Sequence, residues 1–284
     1  MKRILIAGAG SYLGERIAAW LNATPERFQT VTLDMRDPAW SASDFSGFDA
    51  VVMVAGIAHR KETPENAALY TAVNCRLAVE TAAKAKAAGV LQFVFFSTMS
   101  VYGLTVGRIH ADTPAAPNTL YGQSKLSAEQ ALAAMADEHF HLAVLRPPMI
   151  YGHGCKGNYP RLSALVQKLP AFPRVPNERS MLYIDCLCQF MARLLESGEG
   201  GLYFPQNEAF VSTDSLVRQI ALAHGKRLWQ PRGLGWLLAG LAKRGGAVGK
   251  VFGTLTYDQA MSQALREDAQ PAFEATVRAA EGCL

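Results

Sequence analysis

Cysteine is scarce in this chain. Its 284 residues hold five, Cys75, Cys155, Cys186, Cys188 and Cys283, scattered and odd in number. That excludes a disulfide framework and points to reduced thiols in a cytoplasmic protein. Cys186 and Cys188 have no histidine or second cysteine pair beside them, so they read as small buried residues and no metal is expected. An excess of one charge is also missing. Twenty-eight basic and 24 acidic residues leave +4 with no long basic block, which argues against nucleic acid as a partner but allows a mildly positive cleft for an anionic substrate. Long apolar runs are absent as well. Met1-Lys2-Arg3 before Ile4-Leu5-Ile6-Ala7 mimics the start of a signal peptide, but glycine ends the run after four residues and implies a buried strand. The run Leu234–Ala242 is too short for a transmembrane segment. It reads as a helix packed on the core, with Lys243 and Arg244 leaving a membrane-surface contact as the lesser reading. No internal repeat or low-complexity tract occurs.

Half of the residues are hydrophobic and 18% are charged, an enzyme-like composition in a chain long enough for one large domain and a smaller one. Arg3 to Ala7 reads as a strand, Gly8-Ala-Gly10-Ser11-Tyr12-Leu13-Gly14 as a tight turn, and Glu15 to Leu21 as a helix. Strand, glycine turn and helix in that order make a phosphate site, because bare backbone approaches a pyrophosphate and the helix N-terminus offers unpaired N–H groups. A second strand, Thr30 to Leu33, ends in Asp34, about twenty residues past the glycines, where a carboxylate accepts from ribose hydroxyls and repels a 2′-phosphate. NAD is therefore the expected cofactor, with Met35 at its edge and Arg36 partly offsetting the repulsion. Only sixteen residues separate Asp34 from the strand Ala50 to Ala55, too few for a full helical crossover. Trp40 to Phe45 is thus an abbreviated one, with Asp44 and Phe45 near the adenine. Val54, Ala55 and Gly56 lie where a dinucleotide would cross the sheet edge. A helix is expected over 65–88 with Gly89 as its cap, then strands over 92–97 and 142–146. This alternation predicts an α/β fold with a doubly wound parallel sheet of Rossmann type. The change of domain falls at Tyr151 to Asn158. The expected division is 1–150, with 184–205 returning to it, against a smaller substrate domain of 151–183 and 206–284, whose helices are read over 162–169 and from Ser212 or Thr213 to Gly225.

Tyr121-Gly-Gln-Ser-Lys125 opens an alanine-rich helical run. Residues four apart share a helix face, so Lys125 is expected to favour the phenolate of Tyr121 and tune it for proton transfer to an alcohol or ketone.

With these parts in place, the chain resembles the extended short-chain dehydrogenase/reductase family, in its NAD-dependent nucleotide-sugar epimerase/dehydratase branch. The resemblance runs from Lys2 to about Asp185. It rests on the glycine turn, Asp34, Val54-Ala-Gly56, Asn74, Phe96-Ser97-Thr98-Met-Ser-Val-Tyr-Gly103, Tyr121 to Lys125, Leu145-Arg-Pro-Pro148 with Tyr151-Gly152, and Arg179 with Tyr183 and Asp185. It implies Tyr121 as the proton-transfer group, Lys125 on the nicotinamide ribose, and Thr98 as the hydroxyl partner of the substrate oxygen. Asn74, Ser97 and Pro148 join the cofactor residues. Arg179 and Asn158 fall near the substrate diphosphate, and His59 lines the pocket. Ser11 replaces the family's middle glycine, with Gly10 moving the flexibility one residue earlier. Met99-Ser100 stands where dehydratases carry Asp-Glu, which disfavours water elimination. The subgroup implied is that of UDP-hexose and UDP-N-acetylhexosamine 4-epimerases and 4-ketoreductases of surface-polysaccharide pathways, commonly homodimers. The expected activity is 4-epimerisation; a 4-keto-sugar reductase and a non-catalytic NAD-binding regulator are the alternatives.

Overall fold

A computed structural model describes residues 1–58, 60–231, 235–242, 246–263 and 270–283, of which 236–239 and 247 as backbone alone. The strands are β1 Lys2–Ala7, β2 Phe28–Leu33, β3 Ala50–Met53, β4 Gln92–Phe96, β5 Gly107–Ile109, β6 His141–Leu145, β7 Met149–Tyr151, β8 Met181–Tyr183, β9 Gly201–Tyr203 and β10 Leu255–Tyr257. The helices are α1 Tyr12–Asn22, α2 Ala67–Thr71, α3 Leu77–Ala87, α4 Leu120–Ala133, α5 Asn158–Lys168, α6 Ile184–Ser197, α7 Thr213–Ala223, α8 Gly235–Ala242, α9 Gly246–Phe252 and α10 Phe273–Ala280.

The chain divides into two compact units. The first comprises Met1–Gly103, Pro114–Pro147 and Leu187–Pro205. Its sheet runs β2-β1-β3-β4-β6-β9, parallel throughout. The inner strands β3 and β4 are buried at every residue, as parallel strands covered on both faces must be, and this is why they read as unbroken apolar runs. The residues between β2 and β3 form one 3₁₀ turn, Pro38–Ala42, started by the Asp37 carboxylate accepting from Ala39 N–H. The helix expected over 65–88 is interrupted: a π-helical turn, Ala72–Arg76, separates α2 from α3. Asn74 lies in the middle of that turn and is completely buried.

The second unit holds Leu104–Thr113, Pro148–Cys186 and Gln206–Leu284. Two parallel pairs of three-residue strands, β7 with β8 and β5 with β10, anchor it. The pairing of β5 with β10 draws 104–113 into this unit from a place in the chain where the sequence gives no sign of it. Tyr151 stacks on Tyr159 with ring centroids 5.5 Å apart and shares a 2.7 Å hydrogen bond with Thr276 on α10. The Glu281 carboxylate just beyond α10 accepts from Ser163 of α5 and pairs with His224, which follows α7, each at 2.7 Å.

Candidate active site

Helix α4 begins at Leu120 because the Thr119 hydroxyl accepts from Gly122 N–H at 3.0 Å, satisfying one of the donors a helix start leaves open. A second acceptor comes from a distant part of the chain: the Glu62 carboxylate takes Leu120 N–H at 2.8 Å and Tyr121 N–H at 3.1 Å. A negative charge at that position also complements the helix dipole. Gly122 brings α4 close to the segment after β4, since a Cβ there would lie 2.7 Å from the Ser100 carbonyl oxygen. Tyr121 and Lys125 then share one face of α4, as their spacing requires.

Thr98 caps the 3₁₀ turn Met99–Tyr102, its Oγ1 accepting from Ser100 N–H at 3.1 Å, and its hydroxyl lies beside the Tyr121 phenol. Burial raises the pKa of that phenol; the Thr98 hydroxyl beside it acts the other way, and the neighbouring buried Tyr70 adds to the rise. The expected lowering by Lys125 is not found, and the reason is where the amine sits. Lys125 is 5% exposed, its Nζ donates to the Phe96 carbonyl at 2.8 Å, and it lies 4.6 Å from the Phe95 ring centroid. Burial holds its pKa down to about 8, against the opposing pull of the Glu129 carboxylate. Gly56 leaves room for this amine, because a Cβ there would stand 3.3 Å from Lys125 Nζ and 3.0 Å from Asn74 Oδ1.

Asn74 spends its amide on structure. Its oxygen accepts from Ile57 N–H at 2.8 Å, and its nitrogen donates to the Ile57 carbonyl at 3.0 Å and to Ser124 Oγ at 3.1 Å. The side chain therefore ties the chain after β3 to α4. Behind Lys125 lies a buried network that the motifs do not reveal. Arg146, at the end of β6, donates to both Glu129 oxygens and, through Nη1, to the Tyr102 hydroxyl at 2.8 Å. The Ser97 hydroxyl donates to Glu129 as well. Glu129 lies one helical turn beyond Lys125, a spacing that could have suggested the pair.

The glycine turn lies in the same unit. Gly8 takes φ +139° and Gly10 φ +72°, conformations that L-residues with a Cβ avoid. A Cβ on Gly8 would meet Val54 Cγ2 at 2.8 Å and Ala55 N at 2.9 Å; one on Gly14 would meet the Gly8 carbonyl at 2.8 Å. Ser11, in the position expected of a glycine, has ordinary extended φ and caps α1 by accepting from Gly14 N–H at 3.1 Å. Tyr12 and Leu13 are the first residues of α1. Asp34 follows β2 directly, and Arg36 grips it with Nε and Nη2 at 2.9 and 2.7 Å. That pair keeps the carboxyl near pKa 2. The Arg36 guanidinium also lies beside Gly10. A bare-backbone turn at the start of an eleven-residue helix, with a permanently ionised carboxylate at the end of the next strand, fits the pyrophosphate and ribose of a dinucleotide. At the expected adenine edge, Asp44 is exposed and accepts from Ser46. The side chains of Met35 and Phe45 pack in the core.

Thr98, Tyr121, Lys125, Asn74, Ser97 and Val54 to Gly56 are thus gathered in the first unit with the glycine turn and Asp34. Pro148, Asn158 and Arg179 belong to the second. Pro148 is buried, while Asn158 is exposed as the first residue of α5. Arg179 exchanges both backbone hydrogen bonds with Val211, and its guanidinium donates to the Gly253 carbonyl at 2.9 Å. Burial lowers its pKa, though an arginine keeps its charge. His59 lies outside the described residues.

Residues 4–203 match the model of the NAD dependent epimerase/dehydratase family. The chain belongs to that family. A UDP-glucose 4-epimerase of Vibrio cholerae is 31% identical over an alignment of 202 residues that covers 67% of this chain and 62% of that protein's own length. An N-acetyl-alpha-D-glucosaminyl-diphospho-ditrans,octacis-undecaprenol 4-epimerase of Escherichia coli O157:H7 is 25% identical over an alignment of 244 residues that covers 79% of this chain and 73% of its own. The crystal structure of a UDP-glucuronic acid 4-epimerase from Bacillus cereus, in complex with NAD, superposes with a TM-score of 0.77 over 99% of this chain and 96% of its own, at 17% identity. That superposition shows a shared fold.

Proposed function

We propose that this epimerase/dehydratase-family chain is an NAD-dependent 4-epimerase of a UDP-hexose or UDP-N-acetylhexosamine, serving surface-polysaccharide synthesis. The observation that carries the proposal is the Thr98 hydroxyl placed beside the Tyr121 phenol, with Lys125 one helical turn along α4 and the glycine turn in the same unit. The two curated relatives quoted above are both named as 4-epimerases.

Gly8, Gly10, Ser11 and Gly14 would hold the pyrophosphate, and Asp34 the adenosine ribose. NAD, when bound, supplies reversible hydride acceptance at the sugar C4. Tyr121 exchanges the proton of the C4 hydroxyl: it takes the proton as the carbinol becomes a ketone and returns it as the opposite alcohol forms. The Thr98 hydroxyl orients that oxygen and favours the phenolate that the first half of the cycle needs. The buried Lys125 ammonium adds positive charge beside Gly56, where the nicotinamide ribose is expected. Arg179 would pair with the diphosphate, for which a guanidinium fork is well shaped. Met99 and Ser100 follow Thr98, and neither exchanges protons at neutral pH, so elimination of water lacks its acid and base.

Purified protein should carry NAD by absorbance or mass spectrometry and turn over without added cofactor. Tyr121→Phe should keep the NAD and lose roughly 10²–10⁴-fold in kcat. Stoichiometric consumption of added NADH with a 4-keto sugar nucleotide, and no cofactor-independent turnover, would replace the epimerase by a reductase. The chain is further proposed to be a homodimer; light scattering should give twice its 30.7 kDa, and a monomer mass at micromolar concentration contradicts this.

A further inference from the structure

One stretch of the second unit combines exposed apolar side chains with a one-sided charge. From Ser215 to Tyr257 the sequence has seven Lys or Arg and no Asp or Glu. The remainder of the chain then holds 21 basic and 24 acidic residues, a net charge of −3. Inside this stretch, Trp229 is 71% exposed, Leu241 42%, Val251 40% and Val248 37%. These four lie in one local fold. The backbone of Trp229 pairs with Pro170 and Phe172, and the start of α8 lies against the Arg174 carbonyl. Helix α9 comes close to α8 at Gly249, where a Cβ would stand 3.0 Å from the Ala242 carbonyl oxygen. The end of α9 returns Phe252 to Phe172, with centroids 5.6 Å apart. Arg227 and Lys250 are exposed beside the apolar residues, whereas Lys226 is spent capping the carbonyls that end α5.

We infer that the surface carrying Arg227, Trp229, Leu241, Val248, Lys250 and Val251 docks this chain on an anionic lipid bilayer. A stretch with cations and no acids beside exposed apolar side chains suits the negative surface of an anionic bilayer. Short apolar segments with cationic neighbours enter the headgroup boundary and do not span. Among the described residues no helix is long and apolar enough to cross a membrane, which agrees with surface docking. An aromatic ring such as Trp229 favours that boundary. The inference does not depend on the reaction proposed above, since docking is read without substrate.

Co-sedimentation of the full-length protein with vesicles of pure phosphatidylcholine, and with vesicles containing phosphatidylglycerol, tests it. The protein should pellet with the anionic vesicles only, and less as salt is raised. The double variant Arg227→Glu/Lys250→Glu should lower the partition coefficient at least about tenfold, and Trp229→Ser should lower it severalfold. The midpoint of thermal unfolding should be unchanged in both, which reports that they are folded. Failure to bind anionic vesicles, equal binding to both compositions, or binding that survives both variants would overturn the inference. So would a wild-type protein that ignores vesicles while Trp229→Ser changes its mass in solution, since the patch would then join copies of the chain.

Discussion

Lys125 is a buried cation whose charge depends on a neighbour one turn along its own helix. Burial alone would discharge it more readily; the Glu129 carboxylate holds its pKa at about 8. Glu129 is itself fixed by Arg146 and Ser97. Below about pH 8 the ammonium is present, and above it the cation is lost. Glu129→Gln removes the anion that favours the ammonium, so the alkaline limb of kcat should move to lower pH relative to wild type. A merely structural role would lower kcat at every pH and leave the limb in place. The same variant leaves Arg146 buried without its counter-charge, a loss of roughly 3–5 kcal/mol that denaturant unfolding should register. Thr98→Ala removes the hydroxyl that favours the Tyr121 phenolate. It should cost about tenfold in kcat with little change in stability.

At the scale of elements, the close approach of α4 to the turn after Thr98 decides where the phenol sits. Gly122→Ala places a Cβ 2.7 Å from the Ser100 carbonyl; overpacking of this kind costs about 1–3 kcal/mol. The variant should lower kcat while NAD remains bound, because the glycine turn is untouched. Gly8→Ala should do the reverse and abolish cofactor retention, since its φ of +139° and its contacts with Val54 and Ala55 leave no place for a methyl group. The inner strands and α4 were legible because burial on both faces and an unbroken helical composition leave a local signature. Ser11 was legible only in part: the pattern marks it as a missing glycine, while its own conformation makes it the cap of α1. The three-residue strands β5, β7, β8 and β10 were not legible, being too short to show any period. The π turn that buries Asn74 and the reach of Glu62 to α4 depend on residues 50 or more positions apart. No local pattern encodes them.

At the scale of the whole molecule, the family match ends at residue 203 while the chain continues to 284. The glycine turn, Asp34, Thr98, Tyr121 and Lys125 lie within the match and are readable from motifs. The proposed surface contacts lie beyond it, in a unit built from short strands whose stretch Ser215 to Tyr257 has no acid. The proposed chemistry follows C4 of the sugar through hydride transfer and back. Its most direct measurement uses UDP-glucose or UDP-N-acetylglucosamine deuterated at C4, incubated with purified protein and no added cofactor, with the product read by mass spectrometry and proton NMR. Transfer within one site predicts a C4-epimer that keeps its deuterium at C4, formed roughly 10²–10⁴-fold more slowly by Tyr121→Phe. Exchange of that deuterium with solvent, or an epimer formed at the full rate by Tyr121→Phe, would contradict the account.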